Sequence, residues 1–175
     1  MQRTDAPPDL RRLGRDEATT LLFRREHARL VASARLLVDD LPTAEDVVQD
    51  AFAGLYRHWA GLADEHAALR YLRTAVVNGA RSQLRRRRTV RAWRPVRQGD
   101  APSAELLAVH RDDCRRLLSA LSGLPQRQRE VLVLRYFLDL SEAQIADELA
   151  ISRGSVKKHS SRGLSALSSR VEVAP

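Results

Sequence analysis

A chain of 175 residues that is 43% hydrophobic but only 5% aromatic can build one medium core or two small ones, filled mainly by Leu, Val and Ala. The formal net charge of +8 and the pI of about 10.8 favour a polyanionic partner, either nucleic acid or an anionic membrane surface. A lone cysteine, Cys114, excludes an intramolecular disulfide, and no apolar run approaches the roughly 20 residues of a bilayer span, so a soluble, cytoplasmic protein without membrane insertion is expected.

Glycine and proline are scarce and no β-branched residues alternate over a strand length, so the predicted fold class is all-α. Residues 1–15, with Pro7 and Pro8, read as a disordered tail. From Asp16 a helix is predicted, with Leu21, Leu22, Leu30, Val31, Ala34, Leu37 and Val38 at helical spacing and Asp39, Asp40 and Pro42 as its stop. A second helix opens at Thr43, which forms a T-x-x-D capping signature with Asp46. Val47, Val48, Ala51, Phe52, Leu55 and Trp59 can face a core, while Asp46, Gln49, Asp50 and Ala53 share another face. The helix dipole accounts for an acid at Asp46 but not for Asp50 or Gln49, so this face reads as a docking surface for a protein.

Ala60–His66 is predicted to be a loop, followed by a third helix from Ala67 to Arg88. Leu69, Leu72, Val76 and Ala80 form its apolar stripe, and Arg70, Arg81, Arg85 and Arg88 form its flank. Between Glu65 and Asp100 there are ten arginines and no acid, a charge run that calls for a polyanion or an acidic partner. Tyr71 and Trp93 could stack on unpaired bases. Residues 89–104, broken by Pro95, Gly99 and Pro102, read as a linker between a domain at 16–88 and a second at 105–170. The second domain starts with Leu106, Leu107, Val109, Leu117, Leu118 and Leu121, ends its first helix at Gly123, and restarts after Pro125 with QRQREVLVLRYFLDL.

Ser141 and Gln144 form a capping box ahead of Ile145, Ala146 and Leu149. Ser152 caps a further helix after a turn too tight for a loop, the spacing of a helix-turn-helix. Advancing about 100° per residue from Val156 puts Ser160, Gly163, Leu164 and Leu167 inward. Gly154, Lys157, Lys158, Ser161 and Ser165 then face outward, and that cationic, slim face suits a major groove. No nucleotide-binding, zinc or redox motif occurs and the histidines are scattered, so neither a cofactor, a metal nor a catalytic centre is indicated.

The order of these features resembles the extracytoplasmic-function group of the bacterial sigma-70 family, and most closely its actinobacterial SigE-type subgroup. AEDVVQDAFAGLYRHW is similar to region 2.2, ALRYLRTAVVNGARSQLRRRR to regions 2.3 to 2.4, and the segment from Leu124 to Leu167 to region 4. The resemblance implies a non-catalytic specificity subunit that binds core RNA polymerase, recognises −35 and −10 promoter elements and promotes melting. It assigns Asp46, Gln49 and Asp50 to the β′ clamp helices of core polymerase, whose β flap is a further expected contact. The loop containing Asp64, Glu65 and His66, together with Tyr71, Arg73, Asn78, Arg81 and Arg85, falls to −10 DNA. Arg153, Lys157, Lys158, Ser161 and Arg162 fall to −35 DNA. An anti-sigma protein is a further partner of such proteins, on which the sequence is silent. Departures from the family pattern are Tyr71 for a tryptophan, Ser82 for an aspartate and Ala150 for the usual turn glycine. Read from the residues alone, a stand-alone helix-turn-helix regulator and an arginine-rich RNA-binding or polymerase-sequestering protein remain open.

Overall fold

The computed structural model describes residues 13–62, 64–93 and 111–171, and the regular structure among them is entirely helical. The first bundle comprises α1 (Arg15–Arg35), α2 (Leu41–His58) and α3 (Glu65–Trp93). The second comprises α4 (Arg111–Ser122), α5 (Gln126–Tyr136), α6 (Glu142–Leu149) and α7 (Arg153–Val171), with α7 packed on the other three. Two helical domains joined by a linker are thus the fold, as predicted. The tail at 1–12, Ala63 and residues 94–110 lie outside the described residues, and with them most of the expected linker and the expected start of the fourth helix.

Leu22, Leu30 and Ala34 of α1 are buried as their spacing predicts, whereas Leu21 and Val31 are only half-buried. The helix ends at Arg35, and Leu36, Leu37 and Val38 fold beneath it as buried residues. The start of α2 differs from the expected cap at Thr43. Asp40 is the N-cap, its Oδ1 accepting from the Thr43 amide at 2.8 Å, and Pro42 lies inside the first turn. Proline stops a helix only beyond its first turn; within that turn no N–H is required of it, so Pro42 starts α2 instead of ending α1.

The same logic moves both ends of α3. Asp64 Oδ1 accepts from the Ala67 amide at 2.8 Å, so the helix begins at Glu65, two residues before Ala67. Trp59–Gly61 forms a 3₁₀ turn, which shortens the expected loop at its other end as well. At the C-terminal end the helix runs to Trp93, past the expected stop at Arg88, because TVRAW contains no breaker before Pro95. Gly79 sets the crossing of α2 on α3: a Cβ there would lie 2.9 Å from Val47 Cγ1, so only glycine lets the two helices come this close. The two bundles touch through α3 and α6.

Candidate nucleic-acid interface

The helix-turn-helix is built by its caps. Ser141 N donates to Gln144 Oε1 at 2.9 Å and Gln144 N donates to Ser141 Oγ at 3.3 Å, which closes the predicted capping box at the start of α6. Ser152 Oγ accepts from Ser155 N at 3.1 Å and starts α7. Between them Ala150 takes the left-handed conformation, φ 51°, and Ile151 N reaches back to the Ala146 carbonyl at 3.0 Å. This is the position where the family pattern has glycine, and alanine meets it at a backbone cost of about 1 kcal/mol.

Val156, Ser160 and Gly163 of α7 are buried and Leu167 half-buried, as predicted, but Leu164 is exposed. Leu164 stands about 80° from Val156 on the helical wheel, just outside the stripe that remains covered at Gly163 and Leu167. Arg153, Lys157, Lys158, Ser161 and Arg162 are all exposed on the outer side. The nearest carboxylate oxygen to Lys157 Nζ is Glu142 Oε2 at 3.9 Å, and Glu142 is held by Arg135 at 3.1 Å. The lysine side chain remains 71% exposed, so this face keeps its cationic reach.

The arginine run of α3 separates into classes that its sequence does not distinguish. Arg70, Arg85 and Arg86 are exposed. Arg87 turns back to α2, donating to Asp39 at 3.1 Å, to Asp40 and to Thr43 Oγ1 at 2.7 Å. Burial alone would raise the Asp40 carboxyl, but hydrogen bonds from Thr43 and Arg87 outweigh it and bring the value down to about 2. Arg81 presents Nε and Nη2 side-on to Glu130 of α5, both at 2.7 Å, and its Nη1 donates to Asn78 Oδ1 at 3.1 Å. Arg73 Nε and Thr74 Oγ1 donate to Glu148 of α6 at 3.0 and 2.5 Å. The expectation that these arginines lack counter-charges inside the chain is therefore corrected for Arg73, Arg81 and Arg87. Their acids come from segments 47 to 75 residues away in sequence, which no local reading can pair. Arg88 is within α3, while Arg94 and Arg97 lie outside the described residues.

The other expected −10 residues are placed as follows. Asn78 and His66 are exposed, Asp64 caps α3, and Glu65 pairs with Arg25 at 2.7 Å. Tyr71 is half-buried against α2, its ring centroid 5.9 Å from that of His58 and its hydroxyl 3.4 Å from His58 Nδ1. Gly54 makes the room: a Cβ there would sit 2.6 Å from the Tyr71 hydroxyl. Asp46, Gln49 and Asp50 are exposed together on α2. Among the described residues none of the three side chains makes a hydrogen bond or ion pair, in contrast to the acids at Asp40, Glu65, Glu130 and Glu148.

Sequence reasoning missed Glu130 and Glu148. Each was nevertheless marked: Glu130 lies in the run REVLVL and Glu148 between Ile145 and Leu149, carboxylates among residues that bury. A charge on a buried face signals a fixed partner, although it does not say which one.

The model of sigma-70 region 2 matches residues 22–90 and that of sigma-70 region 4 matches residues 114–167. The chain is similar to the RNA polymerase sigma-E factor of Streptomyces avermitilis, 32% identical over 156 residues, 85% of this chain and 82% of that protein. It is also similar to the ECF RNA polymerase sigma factor SigM of Mycobacterium tuberculosis, 30% identical over 146 residues, 81% of this chain and 70% of that one. Among solved structures, CnrH in complex with the cytosolic domain of CnrY aligns with a TM-score of 0.71 at 22% identity, over 91% of both chains. The sigma factor RpoE of Bartonella quintana, in complex with the anti-sigma factor NepR, aligns with a TM-score of 0.75 at 23% identity, over 91% of this chain and 99% of that one. At these identities the solved structures establish the fold.

Proposed function

The chain belongs to the extracytoplasmic-function group of the bacterial sigma-70 family, and from that premise we propose that it acts within the cytoplasm by docking Asp46, Gln49 and Asp50 on core RNA polymerase, reading a −35 element with α7 and opening a −10 element along α3. Sigma factors are non-catalytic promoter-specificity subunits, so every step is one of differential binding. The observation that carries the reading is the coexistence of an unpaired acidic face on α2 with two cationic faces, on α3 and α7, in one chain. A DNA-binding regulator acting alone has no use for the first.

In this reading Arg153, Lys157, Lys158 and Ser161 meet base edges and Arg162, toward the rim of the face, meets phosphate. Along α3, Asn78, Arg70, Arg81 and Arg85 hold the separated strand, with Arg73 beside them. The turn from Trp59 to His66 receives an unstacked base, trading the cost of unstacking for contacts available only in open DNA. Tyr71 supports that turn from beneath through His58 and Gly54. The domains are assigned as 16–88 for core and −10 binding and 105–170 for −35 binding. The likeness to the sigma-E factors supports a SigE-type role, and the likeness to CnrH and RpoE supports an anti-sigma partner.

Run-off transcription with purified core polymerase on genomic promoter fragments tests the proposal. New start sites that appear only when the chain is added are the expected result. Retention of the chain on DNA with no change in transcripts would instead favour a stand-alone regulator, and the docking assignment would fall.

A further inference from the structure

We propose that Arg25 of α1 is a positioning residue for capture of the unstacked −10 base: it holds Glu65 at the head of α3 and so fixes the receiving turn before DNA arrives. The proposal rests on the reading of the turn from Trp59 to His66 as the base-receiving element and adds what keeps that element in place. Glu65 then acts through the geometry of the turn and not by touching DNA.

The described parts of the turn are pinned from three sides. On the α2 side, His58 Nδ1 lies 2.8 Å from the Gly54 carbonyl, and the Tyr71 ring lies against the His58 ring. Within the turn, the Leu62 amide donates to the Trp59 carbonyl at 3.1 Å, and Trp59 and Leu62 pack against the core as half-buried residues. On the α3 side, the Asp64 side chain caps the helix, and the Ala68 amide donates to the Asp64 carbonyl at 3.0 Å. The next residue, Glu65, accepts from Arg25 Nη2 at 2.7 Å, across 40 residues of sequence. His66 stays exposed, and among the described residues its side chain makes no hydrogen bond or ion pair. A site whose supports are in place and whose rim is unengaged is preorganised, so binding does not have to order it.

Charge separates Arg25 from the arginines of α3. Its guanidinium is matched by Glu65 within its own bundle, so the pair adds no net attraction for a strand. The two side chains are 35% and 29% exposed, and an ion pair this open contributes little to folding. A tie that is weak for the fold but sits at the mouth of the turn acts mainly on where the turn lies. The cost of unstacking a base is recovered only when the base meets a turn already shaped for it. Loosening the tie therefore lowers the part of binding that depends on the base and spares the part that depends on the backbone.

The test uses holoenzyme assembled from core polymerase and the full-length chain. Fluorescence anisotropy reads binding of a labelled single-stranded oligonucleotide that carries the −10 segment of a promoter mapped by run-off transcription. Copies with one abasic site at each position in turn locate the captured base, as the position whose loss weakens wild type most. The readout is the ratio of affinities for the intact strand and for the copy abasic there. Arg25→Ala and Glu65→Ala should each lower that ratio by about fivefold, the upper range for an exposed ion pair. The double variant should lower it by no more than either single variant, because both remove the same tie. Arg25→Lys should recover most of the loss. Arg24→Ala, an equal charge change at an exposed neighbour on α1, should leave the ratio within about twofold. The sign for Glu65→Ala is diagnostic: removing an acid beside a polyanion tightens binding when charge alone counts. An unchanged ratio in either single variant would overturn the proposal. So would losses that multiply in the double variant, or a loss in Arg25→Ala that is equal on intact and abasic strands and comes with a shallower salt dependence, the mark of a phosphate contact. A wild-type holoenzyme indifferent to every abasic position would instead overturn base capture by the turn, and the proposal with it.

Discussion

Replacing Arg87 with alanine should weaken the first bundle without weakening specific promoter recognition, although Arg87 lies in the middle of the arginine run. Its guanidinium joins the end of α3 to Asp39, Asp40 and Thr43 at the start of α2. The Asp40 carboxyl is held at about 2, against an ordinary 3.8. Taken at face value that depression corresponds to roughly 2.5 kcal/mol. Thr43 supplies a larger part of that depression than Arg87 does, and the Asp40 side chain is 40% exposed, so the share lost with Arg87 is at most about 1 kcal/mol. Adding the lost bonds to Asp39 and Thr43 gives about 1–2 kcal/mol in all, or a melting midpoint lower by roughly 3–8 °C. The sign follows from the direction of the shift. Because the folded-state value is depressed, the stabilisation is complete above about 4 and disappears as pH falls toward 2. Thermal melts by circular dichroism, from about pH 7 down to about pH 3, should show a gap between wild type and Arg87→Ala that narrows with acid. Arg87→Lys, which keeps the charge but not the fork, should fall between them. Equal melting near neutrality, or a gap that widens in acid, would refute the assignment of Arg87 to structure.

Asp50→Arg should leave the melting midpoint almost unchanged, within about 0.5 kcal/mol, because Asp50 is exposed and makes no bond among the described residues. In a pull-down with core polymerase the same variant should lose at least about 100-fold in affinity, since a like charge then faces a basic docking surface. Lys157→Ala should weaken −35 duplex binding by about 1–3 kcal/mol and relax sequence preference if Lys157 reads bases; an equal loss on every sequence would make it a phosphate contact. Ala150→Gly should raise the stability of the helix-turn-helix by about 1 kcal/mol in denaturant titration, by relieving the φ of 51° at a position whose side chain is exposed. No gain would mean that Ala150 carries no strain.

Much of the fold is written in short-range spacing. The capping box at Ser141 and Gln144, the cap at Ser152 and the outward face of α7 follow from residues within one or two turns of each other, and the structure places them as expected. Helix ends were less legible where two cap-forming residues compete. Asp40 and Thr43 can both cap, and Pro42 decides between them only when it is read as a residue of the first turn. Leu164 shows the limit of periodicity: its angle on the wheel is close to the inner stripe, yet the width of the covered stripe is set by the neighbouring helices and not by α7 itself.

The arginines show a deeper limit, and a physical reason for it. A net charge of +8 and a run of ten arginines predict attraction to a polyanion, but local potential is set by the nearest counter-charge, not by the total. Arg87 is paired within its own bundle, with Asp39 and Asp40. Arg73 and Arg81 are paired across a joint between two bodies. A helix whose arginines were all unpaired would attract any nucleic acid at any time. One whose arginines were all paired within a single bundle would attract none. A count of charges along α3 therefore overstates how much of the helix is open to a polyanion, because Arg73, Arg81 and Arg87 each meet a carboxylate of the same chain.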